Sequence, residues 1–206
     1  MKILAVKERL RSQKTFALQD IYALFPNFRQ ETLYDWENQG YVQKIRNKYY
    51  TFSDQELRDL DLYIISNRIY VPSYISLESA LNHYGIIPEA VLQITALTTR
   101  KTNSFTTDFG TFIYKSIKPE LFWGYKLLEH ENIGIRIASP EKLILDYLYL
   151  NSNVITEEDF DSLRFNPEIL HDLLDLQLLK KYLRIFSNEM LNQRADSLIR
   201  YIDKNA

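Results

Sequence analysis

Apolar residues recur three and four places apart through the first forty positions, and then the pattern switches to alternation. The spacing predicts a helix over residues 2–12, with Ile3, Leu4, Val6 and Leu10 on its apolar side. A second is predicted over 17–25, "ALQDIYALF", where Leu18, Ile21, Tyr22 and Phe25 share a face and Pro26 stops it. The third lies in "NFRQETLYDWENQG", residues 27–40. Asn27 is its expected N-cap, Gln30 completes a capping-box pattern, Leu33 and Trp36 form the buried stripe, and Gly40 ends it. Residues 41–52, "YVQKIRNKYYTF", then alternate as strand residues do. They predict a hairpin turning at Arg46-Asn47-Lys48, with Asn47 as the residue tolerant of positive φ. Three helices and a hairpin are the plan of a winged helix-turn-helix.

The remaining chain reads differently. "SDQELRDLDLYIISNRIY" predicts a helix from Ser53, with Glu56 as capping-box partner, linking this head to a body over residues 53–66. Ser76 and Gly85 bracket a helix in "YISLESALNHYGII". Extended runs follow at 92–99, 104–117 (with a turn at Asp108–Gly110) and 133–139. Their β-branched and aromatic residues predict an antiparallel sheet. Ser139, Pro140 and Glu141 open a helix at "SPEKLILDYLYL". Asn166-Pro167 opens another through "NPEILHDLLDLQLLKKYLRIF", and "NEMLNQRADSLIRYI" predicts a final one. The expected fold is therefore α+β: a winged helix-turn-helix at 1–52, the linker helix at 53–66, an α+β domain with antiparallel strands at 67–150, and a helical part at 151–206.

Charge sharpens the contrast. Residues 1–52 carry nine Lys/Arg against five Asp/Glu, whereas residues 53–206 carry sixteen against twenty-two. A basic head on an acidic body fits a nucleic-acid-binding head. Lys44, Arg46 and Lys48 crowd the hairpin tip, where they can reach phosphates and displace condensed counterions. Such contacts set position; bases must be read by the third helix. With Leu33 and Trp36 inward, Gln30, Glu31 and Tyr34 face out, with Arg29 at the margin. Gln pairs with adenine, Arg with guanine, and Glu accepts from a cytosine amine. The expected contact set is Arg29, Gln30, Glu31, Tyr34, Lys44, Arg46, Asn47 and Lys48. Asp35 and Glu37 must point away from DNA or weaken binding. The alternative is a winged helix that docks a protein through Tyr34, Trp36 or Tyr49.

Other chemistry finds little footing. The chain has no cysteine, which excludes disulfides, thiolate zinc sites and a Cys nucleophile. Neither a secretory leader nor an apolar run of the ~20 residues that span a bilayer is expected, so a cytoplasmic location is. His83, His130 and His171 read as structural, and Asp59-x-Asp61 as a solvated helix face. Ser79 with His83 one turn on is a thin pair, and Gly-rich phosphate loops are missing. No enzyme activity and no cofactor or metal is expected.

The order of these segments resembles the AbiEi antitoxin family of abortive-infection toxin–antitoxin systems. The likeness lies in the head, then "PSYISLESALNHYGII", "ITALTT", "FGTFIYKSIKPELFWGY" and "IRIASPEKLILDYL", and covers roughly residues 1–150. Its marks are Tyr74 before Ser76-x-x-Ser79-Ala80-Leu81, Gly110 in an aromatic hairpin, Gly124 after aromatics, and Ala138 to Lys142. The resemblance implies a bacterial transcriptional regulator whose head represses its own operon at inverted repeats in double-stranded DNA. It also implies a body that counters a nucleotidyltransferase toxin in a type IV system, without a stable toxin complex.

Overall fold

The computed structural model describes residues 3–206, and the fold is α+β. The head runs α1 (Ile3–Leu10), a 3₁₀ turn (Arg11–Gln13), β1 (Phe16–Ala17), α2 (Leu18–Leu24), α3 (Gln30–Asn38), β2 (Val42–Arg46) and β3 (Tyr49–Phe52). The three strands form an antiparallel sheet ordered β1-β3-β2. Val6, Ile21, Leu33, Trp36, Val42 and Phe52 sit in one core beneath the helices. The strand β1 was not expected; two residues are too few to show a period.

Local chemistry moves several boundaries. Helix α3 starts at Gln30, with Arg29 rather than Asn27 at the cap position and no side-chain cap bond. Phe28, in the turn that separates α3 from α2, is buried against the Trp36 ring, 5.4 Å between centroids. Gly40 follows the helix at φ +73°, the left-handed conformation its position requires. In the hairpin, positive φ falls on Lys48 (+73°) and not on Asn47.

The body runs α4 (Asp59–Ile69), β4 (Ser73–Ile75), α5 (Leu77–His83), β5 (Gln93–Thr98), β6 (Asn103–Thr107), β7 (Gly110–Ser116), β8 (Tyr125–His130) and β9 (Ile133–Ala138). Five helices complete it: α6 (Pro140–Leu150), α7 (Glu157–Ser162), α8 (Pro167–Leu173), α9 (Leu176–Phe186) and α10 (Glu189–Asn205). The expected linker helix is neither at 53–66 nor a linker. It starts at Asp59, where the Asp61 carboxylate accepts the Arg58 N–H at 3.0 Å. Tyr63, Ile64, Ile65, Ser66, Asn67 and Ile69 are all buried, so α4 is a core helix. The long helix expected from Asn166 breaks at Asp175, whose carboxylate caps α9 by accepting Gln177 and Leu178 N–H. Ser139 and Asn166 cap α6 and α8 as their sequences imply.

The sheet is six-stranded, ordered β6-β7-β5-β4-β9-β8, and it is mixed rather than antiparallel. β5 runs parallel to β7, and β4 parallel to β9 through Ile75 and Ile137. Strand propensity carries no information on such distant pairing. Beneath the sheet lies an ionic core. Lys142 and Asp146 pair on α6, both fully buried, and Tyr74 and Ser76 hydroxyls donate to Asp146 at 2.9 and 3.1 Å. Burial pushes Lys142 down and Asp146 up, each toward its neutral form, against their mutual attraction.

Candidate nucleic-acid interface

The start of α2, one face of α3 and the β2–β3 hairpin enclose a groove of about 340 Å³. Gln30, Tyr34, Lys44, Asn47 and Lys48 line it. Five of the eight sequence-predicted contact residues thus meet on one concave surface. Gln30 Nε2 donates to the Tyr34 hydroxyl at 2.8 Å, an i,i+4 pair on the helix. Tyr50 contributes to the groove from β3; burial raises its phenol pKa, with Glu37 and Tyr34 adding to the effect, so it stays neutral. Arg29 and Glu31 are exposed but lie outside the groove lining.

Arg46 goes elsewhere. A bulge interrupts the β2–β3 register between Lys44 and Arg46, and bulges re-aim side chains. The Arg46 guanidinium donates to the Ile69 carbonyl at 2.8 Å and its Cζ stands 3.5 Å from the centroid of the Phe105 ring. Neighbouring residues turn the same way. Ile45 belongs to the body's core, and Gln43 Nε2 donates to Asp108 at 2.9 Å. The hairpin therefore has one face in the head's core, through Val42, Tyr50 and Phe52, and one on the body. Of the three cations at its tip, two face the groove and one braces the hairpin.

A second set of charges closes the seam. Arg68 on α4 pairs with Asp20 at 2.8 Å and donates to Gln13 and to the Thr15 carbonyl. Lys14, held at φ +63°, reaches Asp61 at 3.0 Å and Glu131 at 2.7 Å. The Asp59-x-Asp61 pair is thus not a solvated face: Asp59 is exposed, but Asp61 is buried. Burial would raise the Asp61 pKa, yet the Arg58 N–H and Lys14 outweigh it and hold the carboxyl low. Burial would likewise lower Lys14, and its bonds to Glu131 and Asp61 raise it instead. Asp61, His130 and Glu131 offer three ligand atoms within 4.8 Å of one another. The Lys14 ammonium already holds both carboxylates, so the cluster has its cation.

Ser79 and His83 have structural partners. Ser79 Oγ donates to the Gln93 carbonyl and accepts from the Thr95 N–H, at 3.1 and 2.8 Å. His83 packs edge-on against Tyr63 and Tyr84, and burial, with Lys126 nearby, lowers its pKa. Sequence reasoning missed Lys14, Asp61 and Arg68 as seam residues. The one available signal was Asp61 three places after Arg58, the spacing of a helix-start carboxylate. No family model matches the chain, and no curated protein matches it.

Proposed function

We propose that the chain is a DNA-binding transcriptional autorepressor and the antitoxin of a type IV toxin–antitoxin system. The observation that carries the DNA-binding part is the groove between α3 and the hairpin. The order α1-β1-α2-α3-β2-β3 is compatible with a winged helix, and this reading takes α3 as its recognition helix. Gln30 and Tyr34 supply groups that can meet base edges, and Lys44 and Lys48 supply charge for phosphates. Among the described residues no carboxylate lies within ion-pair distance of Lys44 or Lys48, so both charges are free to engage an anion. Arg46, expected as a phosphate contact, is engaged instead by the Ile69 carbonyl and the Phe105 ring and braces the hairpin.

The antitoxin part rests on the resemblance to the AbiEi family. It assigns the body to countering a nucleotidyltransferase toxin, with no catalytic step and no cofactor of its own. A gel shift with the gene's upstream duplex against a scrambled duplex tests the repressor. Equal affinity at physiological salt contradicts it. Coexpression with a neighbouring nucleotidyltransferase gene tests the antitoxin, with restored growth as the expected result.

One observation favours a second reading, a protein-contact adaptor. Ile3, Leu4, Tyr41 and Phe52, with the Lys7–Asp54 ion pair at the edge, line a hollow of about 460 Å³ beside α1, and Leu4 and Tyr41 are exposed. Ionic strength separates the two: phosphate contacts weaken steeply with salt, and an apolar dock does not.

A further inference from the structure

The hairpin's seat on the body brings a second pair of cations beside it. Tyr70, at the end of α4, is shared by two guanidinium groups: Arg46 Cζ lies 5.8 Å from its ring centroid and Arg100 Cζ lies 4.3 Å away. The Tyr70 hydroxyl donates to the Lys101 carbonyl at 2.8 Å, which fixes the β5–β6 loop against the same ring. Arg100 and Lys101 are both exposed. Two like charges gathered on one ring repel each other. Among the described residues no carboxylate pairs with Arg46, Arg100 or Lys101 within 4.0 Å. Asp108, beside the hairpin, accepts from Gln43. From Thr99 to Thr107 the loop and β6 read "TRKTNSFTT", with two cations, hydroxyls and an amide but no acid. An unneutralised cation pair amid hydroxyl and amide donors is what a phosphate backbone completes.

We propose that the DNA footprint extends past the head onto the body, where Arg100 and Lys101 grip the phosphate backbone next to the hairpin. The proposal rests on the DNA-binding reading and adds to it a second contact point, supplied by the body. Because Arg46, Ile45 and Gln43 tie the hairpin to the body, the groove and the loop are held in a fixed relation to each other. The contact carries no base information; it adds affinity and salt dependence.

The test is fluorescence anisotropy with the full-length protein and its own upstream duplex, repeated over a salt series. R100Q/K101Q is compared with K180Q/K181Q, which removes two exposed charges from α9. The loop variant is expected to bind every duplex more weakly and to lower the log–log salt slope by about two, since each phosphate contact contributes roughly 0.9. The α9 variant is expected to keep the wild-type slope. A wild-type slope in the loop variant, or the same drop in both, overturns the proposal while leaving the head's binding intact. Failure of the wild-type protein to bind the duplex at low salt instead removes the parent reading, and this inference with it. K101Q alone, whose exposed side chain makes no hydrogen bond or ion pair among the described residues, guards against a folding defect and is expected to lower the slope by about one.

Discussion

Three cations crowd one hairpin, and the structure gives them different work. Arg46 binds a carbonyl and covers an aromatic ring, so Arg46→Ala is expected to destabilise the fold by about 1–3 kcal/mol in urea unfolding. Lys44→Ala touches no such contact and is expected to leave the unfolding midpoint in place. Lys48 holds φ +73°, a conformation that costs a non-glycine residue about 1 kcal/mol or more. Lys48→Gly relieves that strain and is expected to be neutral or up to about 1 kcal/mol stabilising. It should nevertheless weaken duplex binding, a combination that marks a residue kept for function. In the body's core, Lys142→Met leaves Asp146 buried without its partner and is expected to cost about 3–5 kcal/mol. The double variant Lys142→Met/Asp146→Leu removes both charges and should recover a large part of that loss. Equal losses in the single and double variants would show that the pair acts through packing alone. Gly124 adds a backbone reason for this arrangement: at φ +73° its missing Cβ would stand 2.9 Å from the Lys142 stem.

Elements meet through charges at the seam, and these set a pH dependence. Asp61 is depressed in the fold, so its contribution is present above its unfolded value near ~3.9 and is lost as pH falls through the lower folded value. Lys14 is raised, so its contribution is present below ~10.4 and is lost as pH rises through the folded value. Urea unfolding across pH should therefore show Asp61→Asn flattening part of the acid limb and Lys14→Met part of the alkaline limb. Unchanged limbs would mean that the seam charges contribute nothing net. Much of the element level was legible beforehand: Leu33 and Trp36 did turn inward, Gln30 and Tyr34 outward, and Ser139-Pro140 did open a helix. What escaped was non-local. The parallel strand pairs, the bulge that redirects Arg46 and the burial of Asp61 all depend on residues far away in sequence. A lysine or arginine in a turn reads alike whether its partner is a phosphate or a carbonyl of the body.

At the scale of the molecule there are two cores and one shared element. Because Ile45 sits in the body's core, Ile45→Ala is expected to cost about 2–5 kcal/mol and to weaken duplex binding by freeing the hairpin. A division at residue 67 would cut through α4, so residues 67–206 should be unfolded by circular dichroism, whereas residues 53–206 keep every element of the body's sheet and helices. The central claim is that the groove between α3 and the hairpin holds duplex DNA. The most direct measurement is the salt dependence of binding to the upstream duplex for the wild type, Lys44→Ala/Lys48→Ala and Gln30→Ala. The lysine pair should lower the slope by about two and weaken all duplexes alike. Gln30→Ala should keep the slope and lose about 1–3 kcal/mol on the upstream duplex only. A wild-type slope in the lysine variant, together with unchanged discrimination in Gln30→Ala, would contradict the account.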